Sequence, residues 1–124
     1  MESYRDLLVY RKSYEQTKRV YELTQKFPKE EAYGMTSQMR RASMSIPLNL
    51  AAEGYGKAEM GKETLRYASM ARGSSAEMEV LLDFAKDFGY ISESGYIEAK
   101  ERQEEIGKML TGLIKSLKGK SSFS

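Results

Sequence analysis

The sequence contains no cysteine and no histidine, and only 2 of its 124 residues are proline. Without cysteine, disulfides, thiolate metal sites and cysteine nucleophiles are excluded. Without histidine, the commonest general base, the usual zinc and iron ligand and the Glu-x-x-His di-iron motif are also missing. We therefore expect no catalytic residue, no metal site and no cofactor, and hence not an enzyme.

Targeting and membrane-spanning segments are not evident either. Residues 1–6 do not show a basic region followed by an apolar stretch, so they do not resemble a signal peptide. No apolar run approaches the roughly 20 residues that cross a bilayer. With 40% hydrophobic and 31% charged residues, the composition is typical of one soluble domain with one core. We expect a cytoplasmic protein that does not contact membranes.

Apolar residues recur at helical spacing in four segments, at about residues 4–26, 35–53, 60–88 and from Ser92 onward. Pro28 should end the first helix, Gly89 should end the third, and Ser92 should cap the fourth. No segment shows the alternation of a strand. The inward-facing positions expected for the four helices are, in turn, Tyr4, Leu7, Leu8, Tyr14, Thr17, Tyr21 and Thr24; Met39, Ala42, Ile46 and Leu50; Tyr67, Ala68, Ala71, Met78, Leu81, Leu82, Ala85 and Phe88; and Tyr96, Ala99, Gln103, Ile106, Leu110, Leu113 and Leu117.

These four amphipathic segments, joined by short turns, predict an all-α fold, an antiparallel up-down four-helix bundle. The bundle should span residues 1–118. Residues 119–124 have no periodicity, and we expect them to form a flexible C-terminal tail.

The second segment has a proline in its middle. Pro47 cannot donate a hydrogen bond to the carbonyl of Ser43 and should kink the helix. The freed carbonyl needs a donor, and we expect Ser43, Ser45 or Asn49 to supply it.

A row of polar residues recurs every fourth position beside this proline. We expect it to pair with small and charged residues of the third segment and form a structural polar network between two helices. The predicted members are Arg41, Asn49, Glu53, Arg72, Ser74 and Glu77. Two alternatives are a ligand pocket along the kink and an acid–base pair of Glu53 and Glu77. The glycines at 54 and 56 are more typical of a helix-ending turn than of a phosphate-binding loop.

The net charge is only +2, but the charges are unevenly distributed along the chain. Basic residues exceed acidic ones between residues 35 and 72, acidic residues dominate between 73 and 107, and from Lys108 onward there is no acidic residue. This pattern predicts a basic surface that binds nucleic acid, or alternatively an ordinary solvated face. The candidate nucleic-acid-binding residues are Arg40, Lys57, Lys62 and Arg66, with the C-terminal lysines as possible additions.

Residues 7–10 are all apolar or aromatic, and together they cover almost the whole circumference of a helix. A bundle buries only one stripe of each helix. The remaining apolar surface must meet another chain or stay exposed as scattered surface residues, and we expect it to associate with other copies of the chain.

Several strings in the chain resemble the four-helix bundle family encoded by intervening sequences in bacterial 23S ribosomal RNA genes. They are LLVYRKSYE at 7–15, LTQKFPKEEAYGMTSQMRRASMSIPLNLAAEG at 23–54, ARGSSAEMEVLLDFAKDFGYIS at 71–92 and EEIGKMLTGLIKSLK at 104–118. The resemblance implies a cytoplasmic bundle, often a homopentamer, with no known enzymatic activity. It also implies a relation to the nucleic-acid-binding accessory proteins of diversity-generating retroelements. One departure is that three residues, not two, separate Asn49 from Glu53.

Two functions follow from the residues and the resemblance together. The first is a non-enzymatic oligomeric scaffold that binds RNA or DNA through a basic surface. The second is a protein-protein interaction or structural module that does not bind nucleic acid.

Overall fold

The computed structural model describes residues 4–55 and 62–121, which form four α-helices and no strand within those ranges. The helices are α1 (Leu8–Thr24), α2 (Met35–Tyr55), α3 (Lys62–Asp87) and α4 (Glu93–Ser121). A 3₁₀ turn precedes α1 at Tyr4–Asp6, and another precedes α2 at Lys29–Glu31. The predicted all-α fold class is confirmed.

Hydrogen bonds between neighbouring helices pair residues in opposite chain order, as in an antiparallel arrangement. The pairs are Thr17 with Ser43 and Thr24 with Arg40 between α1 and α2, and Gln103 with Ser75 and Lys100 with Asp83 between α4 and α3. The start of α1, the end of α2, the start of α3 and the end of α4 therefore lie at the same end of the bundle.

The turns follow from local sequence chemistry. After α3, Gly89 adopts φ = 76°, which is open to glycine at little cost. Its N–H donates to the Lys86 carbonyl and the Tyr90 N–H donates to the Ala85 carbonyl, both at 2.9 Å, which is the Schellman arrangement. Ser92 Oγ then accepts a hydrogen bond from the Gly95 N–H at 3.1 Å. The predicted helix stop and the predicted cap are both confirmed.

The core is divided by a layer of buried polar residues. One apolar cluster holds Val20, Met39, Met78, Leu82 and Ala99, among others, and a second holds Val9, Ile46, Ala71, Ile106 and Leu110, among others. Each helix contributes buried polar residues from the stretch between its contributions to the two clusters: α1 contributes Ser13 and Gln16, and each other helix contributes one. The polar layer is defined by Gln16 of α1 and the buried polar residue of each other helix. These four residues are Gln16, Ser43, Ser75 and Gln103.

The predicted core faces of α2 and α4 are largely confirmed, but that of α1 is mostly wrong, with Thr24 as its one fully buried member among the described residues. The residues of α1 that the structure buries are Val9, Ser13, Gln16, Val20 and Thr24. Leu8 and Tyr14 are instead about half exposed, at 51% and 50%. α1 turns a largely polar face inward because Gln16 meets the polar layer, while its tyrosines keep their hydroxyl ends near water.

Two other expectations differ from the structure at helix ends. Phe88 does not face the core; it follows the last residue of α3 and stacks on Phe84 with ring centroids 5.7 Å apart. α4 continues to Ser121, three residues past the predicted domain boundary at residue 118. Residues 122–124 lie outside the described ranges, so the flexible tail stays a prediction.

Candidate functional site

The end of the bundle where α3 begins and α4 finishes is rich in basic side chains. Ile114 and Leu117 of α4 pack with Ala68 of α3 in a small apolar cluster. Lys115 and Lys118 directly follow these two α4 residues and are exposed. Arg66, two residues before Ala68, is exposed as well. We call Arg66, Lys115 and Lys118 the basic end.

No acidic residue follows Glu105 in the sequence, so α4 adds only positive charge to the basic end. Lysines in the last turns of a helix also offset the negative end of its dipole. The opposite end of the bundle carries both signs, with Lys26, Lys29 and Lys86 beside several carboxylates. Arg66, Lys115 and Lys118 therefore form a local concentration of positive charge on the surface of the bundle.

Arg40, the first predicted nucleic-acid-binding residue, lies apart from the basic end. Its Nε donates to Thr24 Oγ1 at 2.9 Å, and its guanidinium lies 4.4 Å from the centroid of the Tyr21 ring. These contacts hold the half-buried side chain against the C-terminal half of α1. Arg40 therefore ties α2 to α1 and does not share a surface with Arg66.

The other predicted nucleic-acid-binding residues lie near the basic end in sequence. Lys62 is the first residue of α3, one turn before Arg66. Lys57 lies outside the described residues. The last part of α4 contains lysine as its only kind of charged residue. The antiparallel order of the helices places it beside the start of α3, so these lysines are stronger candidates than the sequence alone indicates.

The predicted polar network is only partly assembled. Ser45 Oγ accepts hydrogen bonds from Asn49 Nδ2 at 3.0 Å and from Ser74 Oγ at 2.9 Å, which links α2 to α3. Ser45 itself was not among the predicted members. Small hydroxyl side chains suffice here because the two helices approach closely.

The remaining predicted members do not join this contact. Arg72 lies on the other flank of α3, where it lines a groove with Glu104 and Lys108 of α4. Arg41 and Glu77 are exposed on the outer surfaces of α2 and α3. None of these three makes a hydrogen bond or ion pair with the part of the chain that the structure describes. Glu53 lies in α2, but its side chain is not among those that the structure describes.

Pro47 is buried inside α2, and the carbonyl that it leaves without a helical partner meets α1. Thr17 Oγ1 lies 3.1 Å from the Ser43 carbonyl oxygen and 2.8 Å from that of Ser13. The donor facing the freed carbonyl is therefore Thr17 and not one of the predicted residues Ser43, Ser45 and Asn49. Asn49 Nδ2 donates instead to the Ser45 carbonyl at 2.8 Å. The kink itself stays a prediction.

A groove runs along the outer surface of α2, with a volume of about 560 Å³. We call it the α2 groove; its walls include Tyr33, Arg40, Arg41, Met44 and Leu48. It is open to solvent and mixes aromatic, apolar and basic side chains. It passes beside Pro47, where a ligand pocket was one of the alternatives.

Between α3 and α4, a carboxylate is held by two donors. Asp83 Oδ1 accepts hydrogen bonds from Lys100 Nζ and from the Tyr96 hydroxyl, each at 2.6 Å. The bond from Lys100, followed by that from Tyr96, keeps the pKa of the Asp83 carboxyl below its ordinary value. Burial is the largest single influence on Lys100 and lowers its pKa, but the hydrogen bond to Asp83, together with the charges of Asp83, Tyr96 and Glu79, raises the pKa overall. This cluster has the character of a structural clamp between the two helices.

The clamp predicts a loss of stability in acid. Because the folded-state pKa of Asp83 is lowered, its contribution is present above its unfolded pKa of about 3.9 and is lost as pH falls through the folded value. Urea denaturation between pH 7 and pH 3 should show a smaller fall in unfolding free energy for Asp83→Asn than for the wild type. Glu31, whose pKa is lowered mainly by the Met35 N–H and then by Tyr90, acts in the same window. Adding Glu31→Gln should therefore flatten the profile further, and parallel profiles would contradict the assignment.

The fold and the charge pattern define a small all-α four-helix bundle with a basic end. Residues 5–112 match the family model of the 23S rRNA-intervening sequence protein, and the chain belongs to this family. A comparison with curated proteins gives no match.

A similar solved structure is a crystal structure of a protein of unknown function from the S23 ribosomal protein family of Bacteroides thetaiotaomicron. The two chains are 23% identical and superpose with a TM-score of 0.76, which covers 87% of this chain and 99% of that one. This likeness supports the bundle fold. None of the helices within the described ranges is long and apolar enough to cross a membrane.

Proposed function

We propose that the chain is a non-enzymatic cytoplasmic scaffold that assembles with copies of itself and binds RNA or DNA through the basic end. The observation that carries the proposal is the position of Arg66, Lys115 and Lys118 at one end of the bundle. Nucleic-acid affinity comes largely from phosphate contacts made by lysine and arginine. A ring of copies, a homopentamer in this proposal, would repeat the basic end around one face and multiply those contacts.

The alternative is a module that binds another protein and no nucleic acid. The observation that favours it is the amount of apolar side chain left exposed on one subunit, including Leu8, Leu48, Val80 and Ile97. Large exposed apolar patches mark protein interfaces in soluble proteins. Self-assembly would cover only part of this apolar surface, so the two functions differ mainly in their prediction for nucleic acid.

Fluorescence anisotropy with labelled structured RNA, single-stranded DNA and duplex DNA separates them. The scaffold hypothesis predicts that the protein binds a nucleic-acid probe at low salt. The affinity should fall steeply as salt rises, because each phosphate contact releases a counterion. No binding to any of the three at low salt would contradict it and leave the protein-binding module. The probe with the highest affinity would identify the class of nucleic acid.

A further inference from the structure

The outer surface of α3 carries an apolar ridge. Val80, Phe84 and Phe88 follow one another at intervals of four residues and are 53%, 48% and 56% exposed. Residues four apart on a helix lie nearly above one another, so the three side chains form one continuous row. The stacking of Phe84 on Phe88 fixes the relative position of the two rings. We call this row the α3 ridge.

The α2 groove is an open channel with exposed apolar and aromatic side chains. Tyr33 at its N-terminal end is fully exposed, and Leu48 farther along is 62% exposed. A row of apolar anchors one helical turn apart is the usual way in which a helix enters a hydrophobic groove. The aromatic residues of the α3 ridge and the apolar walls of the α2 groove suit that mode of contact.

The charges beside the two surfaces are opposite. Glu77 lies one turn before Val80 and Asp87 lies one turn after Phe84, and both carboxylates are exposed. Arg41 is exposed within the α2 groove, and Arg40 lines it beside the Tyr21 ring. Opposite charges around an apolar contact favour one partner and one orientation. A ridge and a groove of opposite sign on the same chain indicate that the partner is a second copy.

The two surfaces also overlap in their position along the bundle axis. The N-terminal part of α2 packs beside the C-terminal part of α3, since Met39 shares an apolar cluster with Met78 and Leu82. We propose that the α3 ridge of one copy packs into the α2 groove of the next. This inference rests on the proposed self-assembly and assigns its interface.

Such an interface joins two different surfaces, so each copy keeps one free ridge and one free groove after pairing. Repetition of the contact closes a ring when the rotation between copies divides a full turn, and otherwise gives an open filament. Because ridge and groove overlap along the bundle axis, we expect successive copies to be related mainly by rotation. A closed ring is therefore the expected outcome, with every basic end on the same face.

The test uses two complementary variants measured by light scattering after size-exclusion chromatography. Phe84→Glu damages only the ridge and Leu48→Glu damages only the groove, so each variant alone should be monomeric. Mixed, the intact groove of the first and the intact ridge of the second should give a 1:1 complex that grows no further. Ile97→Glu, at an exposed apolar site on α4, is the matched control and should assemble like the wild type.

The other outcomes overturn the proposal at distinguishable levels. If the single variants dissociate but the mixture stays monomeric, the interface joins like surfaces and the pairing is wrong. If both variants assemble like the wild type, the surfaces are wrong although self-assembly holds. A wild type that is monomeric at every concentration would remove self-assembly as well. Circular dichroism checks folding, and Val80→Glu and Met44→Glu replace a variant that fails to fold.

Discussion

Replacing Gln103 by methionine is expected to lower the free energy of unfolding by about 2 kcal/mol, although methionine has nearly the same shape. Gln103 is fully buried; its Nε2 donates to Ser75 Oγ at 3.0 Å and its Oε1 accepts from Gln16 Nε2 at 3.3 Å. The substitution leaves both partners buried with fewer hydrogen bonds. The cost of an unmade buried hydrogen bond exceeds the gain of an ordinary one. Urea denaturation at a fixed protein concentration measures the change.

Removing the three hydrogen-bonded members of the polar layer together, Gln16, Ser75 and Gln103, should destabilise the protein much less. In the triple variant Gln16→Met, Ser75→Ala and Gln103→Met, no polar side chain of the layer remains buried without its former hydrogen-bond partner. It also removes Gln16 Oε1, a buried atom with no hydrogen-bond partner among the described residues. We expect the triple variant to lie within about 1 kcal/mol of the wild type, since apolar replacement of all partners is often nearly neutral. Additive losses across the three sites would show that the groups act independently.

Thr17→Val is expected to destabilise the protein by about 1–2 kcal/mol, because valine keeps the shape of threonine but cannot donate to the Ser43 carbonyl. The Ser43 residue is buried, so water cannot readily replace the lost donor. Pro47, four residues later, has no backbone N–H to donate to this carbonyl. The carbonyl therefore depends on the Thr17 hydroxyl as its donor.

The dependence is tested by a double-mutant cycle with Pro47→Ala. Alanine at 47 restores a backbone N–H, which can donate to the Ser43 carbonyl within α2. In that background Thr17→Val should cost at least about 1 kcal/mol less than in the wild type. Thr64→Val is a matched control: its buried hydroxyl has no partner among the described residues, so it should add to Pro47→Ala without coupling. If the effects of Thr17→Val and Pro47→Ala are additive, the Thr17 hydroxyl donates only to the Ser13 carbonyl.

The sequence predicted the fold class and the core of α2 because there the apolar residues are unambiguous. Met39, Ala42, Ile46 and Leu50 are all buried, as expected from their spacing. In α1, two stripes of similar spacing compete, and the more apolar of the two predicts the wrong face. The buried stripe is the one that contains Gln16, since its amide finds Gln103 on α4, a partner that is distant in sequence.

The candidate site, like the core, was predictable from the sequence only in part. The excess of lysine in α4 is a property of the sequence, and the antiparallel order of the helices places it beside Arg66. The engagement of Arg40 with Thr24 and Tyr21 could not be foreseen, because it depends on how α1 and α2 are rotated toward each other. Phe88 is predicted to face the core, but the structure places it in the exposed row of Val80 and Phe84, where it stacks on Phe84.

The most direct test of the basic end compares two variants of equal charge in the anisotropy assay. Lys115→Glu with Lys118→Glu reverses the basic end, and Lys26→Glu with Lys29→Glu reverses two exposed lysines at the opposite end. Each pair changes the net charge by −4, from +2 to −2. At low salt, we expect about a tenfold or greater loss of affinity for the first variant and a loss of no more than about threefold for the second. Equal losses for the two, or none for the first, would contradict a nucleic-acid surface at the basic end.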